Sequence, residues 1–355
     1  MIRLQSFVCN LCLLCIVIYF TQVSAEISPN SNSEVITPPE YRRSTEQTFL
    51  TYPEWFLVHS PAEYALFIKN HPANDFPYFG HIKQFWQGYS AVYNATKNDY
   101  PVNIGYHIMV MVIGISTTVE YAIKSLYETF IGRISLLTRS HGMTEDEIYA
   151  AKVAQDYVDF IRIIPWYEYN FANKLKHLWL NTSLLGPDMI RKWERKYALT
   201  TEYSIKAVYA IIIKKLTHMG YETPSPVTAV VLDQLPPFPK DKLPDLNVLE
   251  ESANGPVLIT VPRYDAFKKY ATTLAKEGAN FIEIAGNRSI ILVSLLTPEE
   301  WLPENNAGDI LLTQPILTQP GTKRIILVIP IISLASELNK IRLVSDIKIE
   351  HIYDF

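Results

Sequence analysis

The chain has 355 residues, a formal net charge of -4 at pH 7 and an isoelectric point near 6.1, a slightly acidic balance that excludes an electrostatic footprint for nucleic acid. Charged residues make up 19% and aromatic residues 12%, so the surface is less ionic than that of an average soluble protein, which favours a membrane-associated protein. The length predicts two domains.

The first 25 residues predict a targeting segment. Arg3 precedes an apolar run from Phe7 to Phe20, and small residues ending at Ala25 form a cleavage site. The alternative is an uncleaved N-terminal anchor. All three cysteines, Cys9, Cys12 and Cys15, lie in this segment. If it is removed, no disulfide, cysteine nucleophile or thiolate metal site can form.

The next part of the chain predicts a tether followed by a helical domain. Residues 26–40 are rich in Ser, Asn and Pro without an apolar period, which is typical of a flexible tether. From residue 41 to 221 the pattern is helical. Ser60-Pro61-Ala62-Glu63 combines an N-cap serine, a proline at the first helical position and a capping-box glutamate, so a helix is predicted to begin at Ser60. Thr144 and Glu147 form a second predicted capping box.

One uncharged stretch, residues 102–119, lies inside this helical domain. Its length just meets the roughly 18 residues that a helix needs to cross a bilayer. An apolar seam with helical spacing continues beyond Val119 to Leu137, while Glu120 and Lys124 lie on another face. We therefore predict a long membrane-spanning helix, with a buried helix of a soluble exported domain as the alternative.

The two apolar segments together predict a topology. A basic N-terminus followed by the targeting segment sends the residues after Ala25 across the membrane, and a second span brings the chain back. Residues 26–101 are then outside, and residues 120–355, including the C-terminal domain, are cytoplasmic. The predicted location is the cell envelope membrane.

A Pro-rich linker, residues 222–254, separates the helical domain from a C-terminal domain at residues 255–355. In that domain short apolar runs alternate with two helical segments. The order strand, helix, strand, strand, then strand, helix, strand predicts a ferredoxin-like α/β sandwich, so the whole fold class is an all-helical layer followed by an α+β sandwich. No repeat of 20 to 50 residues is visible.

The common catalytic and nucleotide-binding motifs are absent from the sequence. It contains no GxGxxG, GxxxxGK[ST], HExxH or GxSxG motif, and no two of its eight histidines have the i, i+3 or i+4 spacing. We therefore predict no metal site and no cofactor.

Two aromatic clusters contain the candidate acid and base groups. Glu54 and His59 flank Trp55 in the first, and Glu168 follows Trp166 in the second. A glutamate held among aromatic rings can have a raised pKa and act near neutrality, which makes Glu54, His59 and Glu168 candidate catalytic residues. The alternative interpretation places the rings at a lipid boundary or in a helical core.

Candidate binding residues are Trp55, Trp166, His107 and Arg288. His107 lies in the predicted membrane helix, where ionisable groups often serve a pathway, but the absence of an acidic partner on the same stripe favours an interfacial or core histidine that is satisfied by hydrogen bonding. Arg288 follows a Gly-Asn pair in a predicted hairpin turn and could hold an anion.

Three functions remain from the sequence. The first is a membrane-tethered protein that binds membrane lipid and, through its C-terminal domain, a protein partner or small ligand. The second is a membrane-associated enzyme that acts on an apolar or lipid substrate by Glu/His acid-base chemistry. The third is a structural envelope component.

Overall fold

The computed structural model describes residues 35–43, 45–220, 225–237, 242–251, 255–303 and 308–354. The predicted targeting segment lies outside these residues. The chain forms two compact units whose segments alternate along the sequence. The helical unit contains Trp55–Phe85 and Ile113–Thr223, and the sheet unit contains residues 35–54, Trp86–Val112 and Pro224–Phe355.

The N-terminal region is helical, as predicted. Its six main helices are α1 (Thr45–Phe67), α2 (Tyr78–Thr96), α3 (Ile104–Leu136), α4 (Glu145–Ile161), α5 (Phe171–Asn181) and α6 (Met189–Gly220). The Thr144 capping box opens α4: the Thr144 hydroxyl accepts from the Glu147 N–H, and the Glu147 carboxylate accepts from the Thr144 N–H. This helix start was predicted from sequence because all of its partners are local.

The predicted helix start at Ser60 is wrong. Helix α1 runs without interruption from Thr45 to Phe67, through Pro53 and Pro61. Ser60 is 1% exposed, and its hydroxyl lies 2.9 Å from His81 Nδ1 and 2.7 Å from the Tyr121 hydroxyl. Tertiary partners have therefore replaced the capping role that the local pattern indicates.

Helix α3 is long and apolar enough to cross a membrane. It spans 33 residues, with a π-helical turn at Glu128–Gly132, and only 17% of its most apolar window is buried. Along its C-terminal half the side chains of Leu126, Phe130, Ile131 and Ile134 are exposed. This length and exposure agree with the predicted apolar helix.

The C-terminal region is an antiparallel two-sheet α/β structure. Its elements are β1 (Val227–Leu232), β2 (Asn247–Glu251), β3 (Val257–Pro262), α7 (Asp265–Lys276), β4 (Phe281–Ile284), β5 (Ile290–Pro298), β6 (Asp309–Pro315), β7 (Thr322–Pro330), α8 (Leu334–Leu343) and β8 (Lys348–Ile352). Each sheet has four strands, in the orders β2-β3-β1-β4 and β6-β7-β5-β8. The ferredoxin-like prediction is not confirmed, because it requires one sheet and the strands are divided between two.

The two sheets have the same topology. Adding four to each strand number of the first sheet gives the order of the second, and each half places its helix between its third and fourth strands. Pro262 and Pro330 occupy the same position, at the end of the strand that leads to the helix. The C-terminal region therefore contains the same arrangement of four strands and one helix twice, in halves of about 60 residues each.

Both halves share one hydrophobic core, to which the two sheets and the two helices contribute. The opposite face of the first sheet is also covered: Tyr41 packs against Ala229, Val231 and Leu258. Thr37 is held nearby by Glu283, which accepts from its N–H at 2.8 Å and its hydroxyl at 2.6 Å. Within the predicted tether, residues 35–40 are thus ordered against the sheet, and residues 26–34 lie outside the described part of the chain.

The predicted topology is wrong. It places residues 26–101 and 120–355 on opposite sides of a membrane, yet Thr37 bonds to Glu283 and the Tyr52 hydroxyl donates to Gln314 at 2.8 Å. The Arg43 N–H also donates to the Ala285 carbonyl at 2.8 Å. Segments joined by direct hydrogen bonds lie on the same side of a bilayer, so a crossing by α3 cannot separate them in this way.

Candidate functional site

Polar side chains from four parts of the sheet unit form the candidate site, which we call the Glu54 site. Its members are Glu54 on α1, Tyr106 on α3, Arg263 and Tyr264 between β3 and α7, and Asp354 after β8. Long-range charge interactions connect Glu54 with both Arg263 and Asp354. Of the residues predicted from sequence, only Glu54 belongs to this site.

Glu54 is half-buried, and its carboxylate accepts a short hydrogen bond from the Tyr106 hydroxyl. Burial raises the pKa of the Glu54 carboxyl above its ordinary value, because the charged form loses water, while the hydrogen bond from Tyr106 acts in the opposite direction. The Glu54 carboxyl therefore keeps a proton to a higher pH than a solvated glutamate does. This is the electrostatic property expected of a general acid or base.

Arg263 and Asp354 form a buried ion pair. Arg263 Nε lies 2.6 Å from Asp354 Oδ2, and the two side chains are 8% and 6% exposed. Arg43 lies close enough that repulsion by Arg263, second to burial, lowers its pKa. Within this pair the charges of Arg263 and Asp354 balance each other.

The backbone of Tyr264 is strained. Its φ of 61° and ψ of -137° lie outside the regions that residues with a Cβ atom ordinarily adopt. The cost of such a conformation is about 1–3 kcal/mol, so surrounding contacts must maintain it. One of them is the Arg263 guanidinium, which lies 4.9 Å from the centre of the Tyr264 ring.

A shallow pocket lies one turn of α1 away from Glu54. Its cavity volume is about 10 Å³, room for about one water molecule, and its lining residues are Leu50, Tyr93, Thr96, Lys97, Tyr100, Pro101, Val102, Asn103 and His107. His107 Nδ1 is 3.0 Å from the Tyr89 hydroxyl. The candidate binding residue His107 is therefore at a concave surface, with a tyrosine partner in place of an acidic one.

The other candidates of the first aromatic cluster lie in the helical unit. His59 is 5% exposed, and its ring centre is 6.0 Å from that of Trp55. His59 follows Glu54 by five positions on one helix, a rotation of about 140°, so the two side chains leave the helix in divergent directions. This geometry does not support an acid-base pair formed by Glu54 and His59.

The second aromatic cluster has surface and packing roles. Glu168 makes an ion pair with Lys214 at 2.5 Å, and its side chain is 30% exposed. Trp166 stacks on Tyr209 with ring centres 5.3 Å apart. The structure therefore gives both Glu168 and Trp166 a partner on α6.

Arg288 is tied to a carboxylate. Its Nη2 lies 2.5 Å from Glu283 Oε1, and Glu283 is fully buried. Glu283 also binds the Ile36 and Thr37 N–H groups. This pairing neutralises the charge that a predicted anion site at Arg288 requires.

Sequence reasoning missed two polar clusters. One is the Arg263–Asp354 pair, whose members are 91 positions apart and belong to no local motif. The other lies in the helical unit, where Ser60 contacts His81 and Tyr121, and His81 Nε2 is 3.6 Å from Glu63 Oε2. This second cluster is buried, and Phe76 stacks on His81, so it supports the helix packing.

No group of three or more His, Cys, Asp or Glu side chains suited to a metal ion occurs in the ranges that the structure describes. Comparison with family models, curated proteins and solved structures finds no match to this chain.

Proposed function

We propose that this is a membrane-associated binding protein, in which the helical unit contacts the bilayer and the sheet unit binds a small polar ligand or a protein partner. The observation that carries the membrane part is α3: a helix of 33 residues whose most apolar window is only 17% buried. Apolar surface that faces water costs roughly 25 cal/mol per Å², so a long exposed apolar helix favours contact with lipid.

The binding part of the proposal is supported by the Glu54 site and its neighbouring pocket. The pocket offers hydroxyl, amide, imidazole and ammonium groups from Tyr100, Asn103, His107 and Lys97. A few polar groups at a concave surface are typical of small-molecule sites. The strained Tyr264 is consistent with this role because strain concentrates at functional positions.

A second candidate function is an enzyme that uses Glu54 as an acid or base. The raised pKa of Glu54 and its contact with Tyr106 favour it. In that case Glu54→Gln should abolish turnover of an apolar substrate without reducing the melting temperature. A Glu54→Gln variant that loses stability instead would assign the carboxyl a structural role.

Membrane association is tested by carbonate extraction of the membrane fraction. We expect the full chain to stay in the pellet and to enter the detergent phase on phase separation. The variant Phe130→Glu/Ile134→Glu should shift the protein toward the soluble fraction, because both side chains on α3 are exposed and apolar.

A matched control places the same two charges on the sheet unit. Ile332 and Leu343 are 78% and 79% exposed, more than Phe130 and Ile134, so Ile332→Glu/Leu343→Glu should leave the membrane fraction unchanged. Full release of the unmodified chain by carbonate, or equal loss in both double variants, would contradict the proposal.

A further inference from the structure

On helix α6 every side chain of the exposed class before Lys214 is apolar or aromatic, while Thr201 and Ser204 are half-buried in the same arc between Tyr197 and Ile205. From Met189 to Ile213 the side chains in the exposed class are Met189, Ile190, Trp193, Tyr197, Ile205, Val208 and Ile211. Except at Met189, their spacing is that of one stripe about 120° wide. The first exposed charged residues of the helix follow the stripe, at Lys214 and Lys215.

The charged residues of the same stretch point inward and are ion-paired. Arg191 is fully buried and lies 2.7 Å from Glu147, and Arg195 lies 2.8 Å from Glu128. Farther along, Lys206 lies 2.7 Å from Glu202. Burial opposes the ionisation of Glu147, but Arg191, the Thr144 N–H and Arg139 together hold its pKa below the ordinary value.

In a helix at a water-exposed surface, apolar residues face the core and charged residues face solvent. In α6 the charged residues face inward and the exposed residues are apolar or aromatic. In a bilayer, ionisable side chains face the interior of a helix bundle and pair with one another, while apolar side chains face lipid. The stretch from Met189 to Ile213 is about 37 Å long at 1.5 Å per residue, enough for a hydrocarbon layer of about 30 Å.

We propose that α6 presents this stripe to the hydrocarbon of the lipid bilayer. The inference rests on the proposed membrane association and extends it from α3 to α6. The mean hydropathy of α6 does not indicate contact with a membrane, because its inward-facing charged residues lower that value. Lipid is favoured over a protein partner because protein interfaces mix polar and apolar groups, whereas no polar side chain is fully exposed between Met189 and Ile213.

The neighbouring helix supports the same occupant. Tyr127 on α3 contacts Tyr197 on α6, with ring centres 6.5 Å apart, and Arg195 joins α6 to Glu128 on α3. Beside these contacts α3 exposes Leu126, Phe130 and Ile134. Two adjacent helices therefore expose apolar side chains above a layer of buried ion pairs.

Site-directed spin labelling tests the proposal. All native cysteines lie at positions 9, 12 and 15, so replacing them by Ser leaves a thiol-free full chain for single-cysteine variants. Nitroxides at Ile205→Cys, Val208→Cys and Ile211→Cys, in vesicles of phosphatidylcholine and phosphatidylglycerol, report collision with oxygen, which concentrates in lipid, and with a water-soluble nickel chelate. Control labels are Ala210→Cys on the buried face, Leu343→Cys on the sheet unit and Phe130→Cys on α3.

At all three α6 positions we expect high collision with oxygen and low collision with nickel, a severalfold higher ratio than at Leu343→Cys. Low collision with both reagents at these positions would assign the stripe to a protein contact and overturn the proposal. High collision with nickel would assign it to water and also overturn it. If Phe130→Cys is in lipid and the α6 labels are not, only this inference fails; if Phe130→Cys is also in water, membrane association fails with it.

Discussion

At the scale of single residues, Glu283 and Glu54 show how one residue type takes opposite protonation behaviour. Burial opposes the charge of Glu283, but the Thr37 hydroxyl, the N–H groups of Ile36 and Thr37, and Arg288 hold its pKa below the ordinary value. Glu54 accepts a hydrogen bond from Tyr106, and burial raises its pKa. Hydrogen bonds and a cation therefore outweigh the effect of burial on the pKa at Glu283, whereas burial outweighs the hydrogen bond at Glu54.

Glu283→Gln should destabilise the protein by about 2–4 kcal/mol at pH 7, because it breaks a buried ion pair and leaves donors without their anion. The pKa of Glu283 is lower in the folded state than in the unfolded state, so the unfolded chain binds the proton more tightly. The stability that Glu283 contributes is therefore fully present above its unfolded pKa. It is lost as pH falls through the folded pKa. Urea unfolding at pH 7 and pH 3 measures this, and an equal loss at both pH values would contradict it.

Glu54→Gln should have the opposite pH dependence. The raised folded-state pKa means that the contribution of Glu54 is present below the unfolded pKa, about 4.3, and is lost as pH rises through the folded pKa. Since Gln resembles the protonated form, the variant should match the unmodified protein near pH 4 and be more stable than it at pH 8. Melting temperatures across this range provide the measurement.

At the scale of elements, tertiary contacts override local patterns in α1. Ser60 has every local feature of an N-cap, yet it lies inside a continuous helix. Ser60→Asp distinguishes the two roles, because Asp is a good N-cap residue but a charge at a position that is 1% exposed is not tolerated. We expect a loss of about 3 kcal/mol or more in the free energy of unfolding. Retention of stability would restore the capping interpretation.

Helix α2 depends on a glycine for its approach to α1. A Cβ atom at Gly88 would lie 2.8 Å from Tyr52 Cε1. Gly88→Ala should therefore destabilise by about 1–3 kcal/mol through overpacking, although Ala favours a helix by about 1 kcal/mol. In a Tyr52→Ala background the same change should become stabilising. A double-mutant cycle measures this sign reversal, and additive effects would contradict it.

At the scale of the whole molecule, patterns among neighbouring residues predicted helices and strands. Contacts between residues that are distant in sequence could not be predicted. The capping box at Thr144, the long apolar helix and the strand runs near Ile259 and Leu292 follow from spacing alone. The sequence could not show which strands share a sheet, because pairings such as Ser294 with His351 join distant positions. Glu54 was found as a candidate because the aromatic residues of its cluster are adjacent in sequence. Arg263 and Asp354 were missed because they are far apart in sequence.

The described residues before α1 should stabilise the C-terminal region, because Tyr41 and Thr37 cover and bind its first sheet. A fragment of residues 224–355 should melt at a higher temperature when a peptide of residues 35–43 is added. The same peptide with Thr37→Ala should raise the melting temperature less, since it lacks the hydroxyl that binds Glu283. No difference between the peptides would refute this role for Thr37.

The repeated strand order makes positions in the two halves of the C-terminal region directly comparable. The halves differ directly after the matching prolines: Arg263 follows Pro262 and carries the ion pair with Asp354, while Ile331 follows Pro330 and is completely buried. One point of the shared topology therefore holds a charged group in one half and a hydrocarbon side chain in the other, so a ligand that needs a guanidinium can distinguish the two halves.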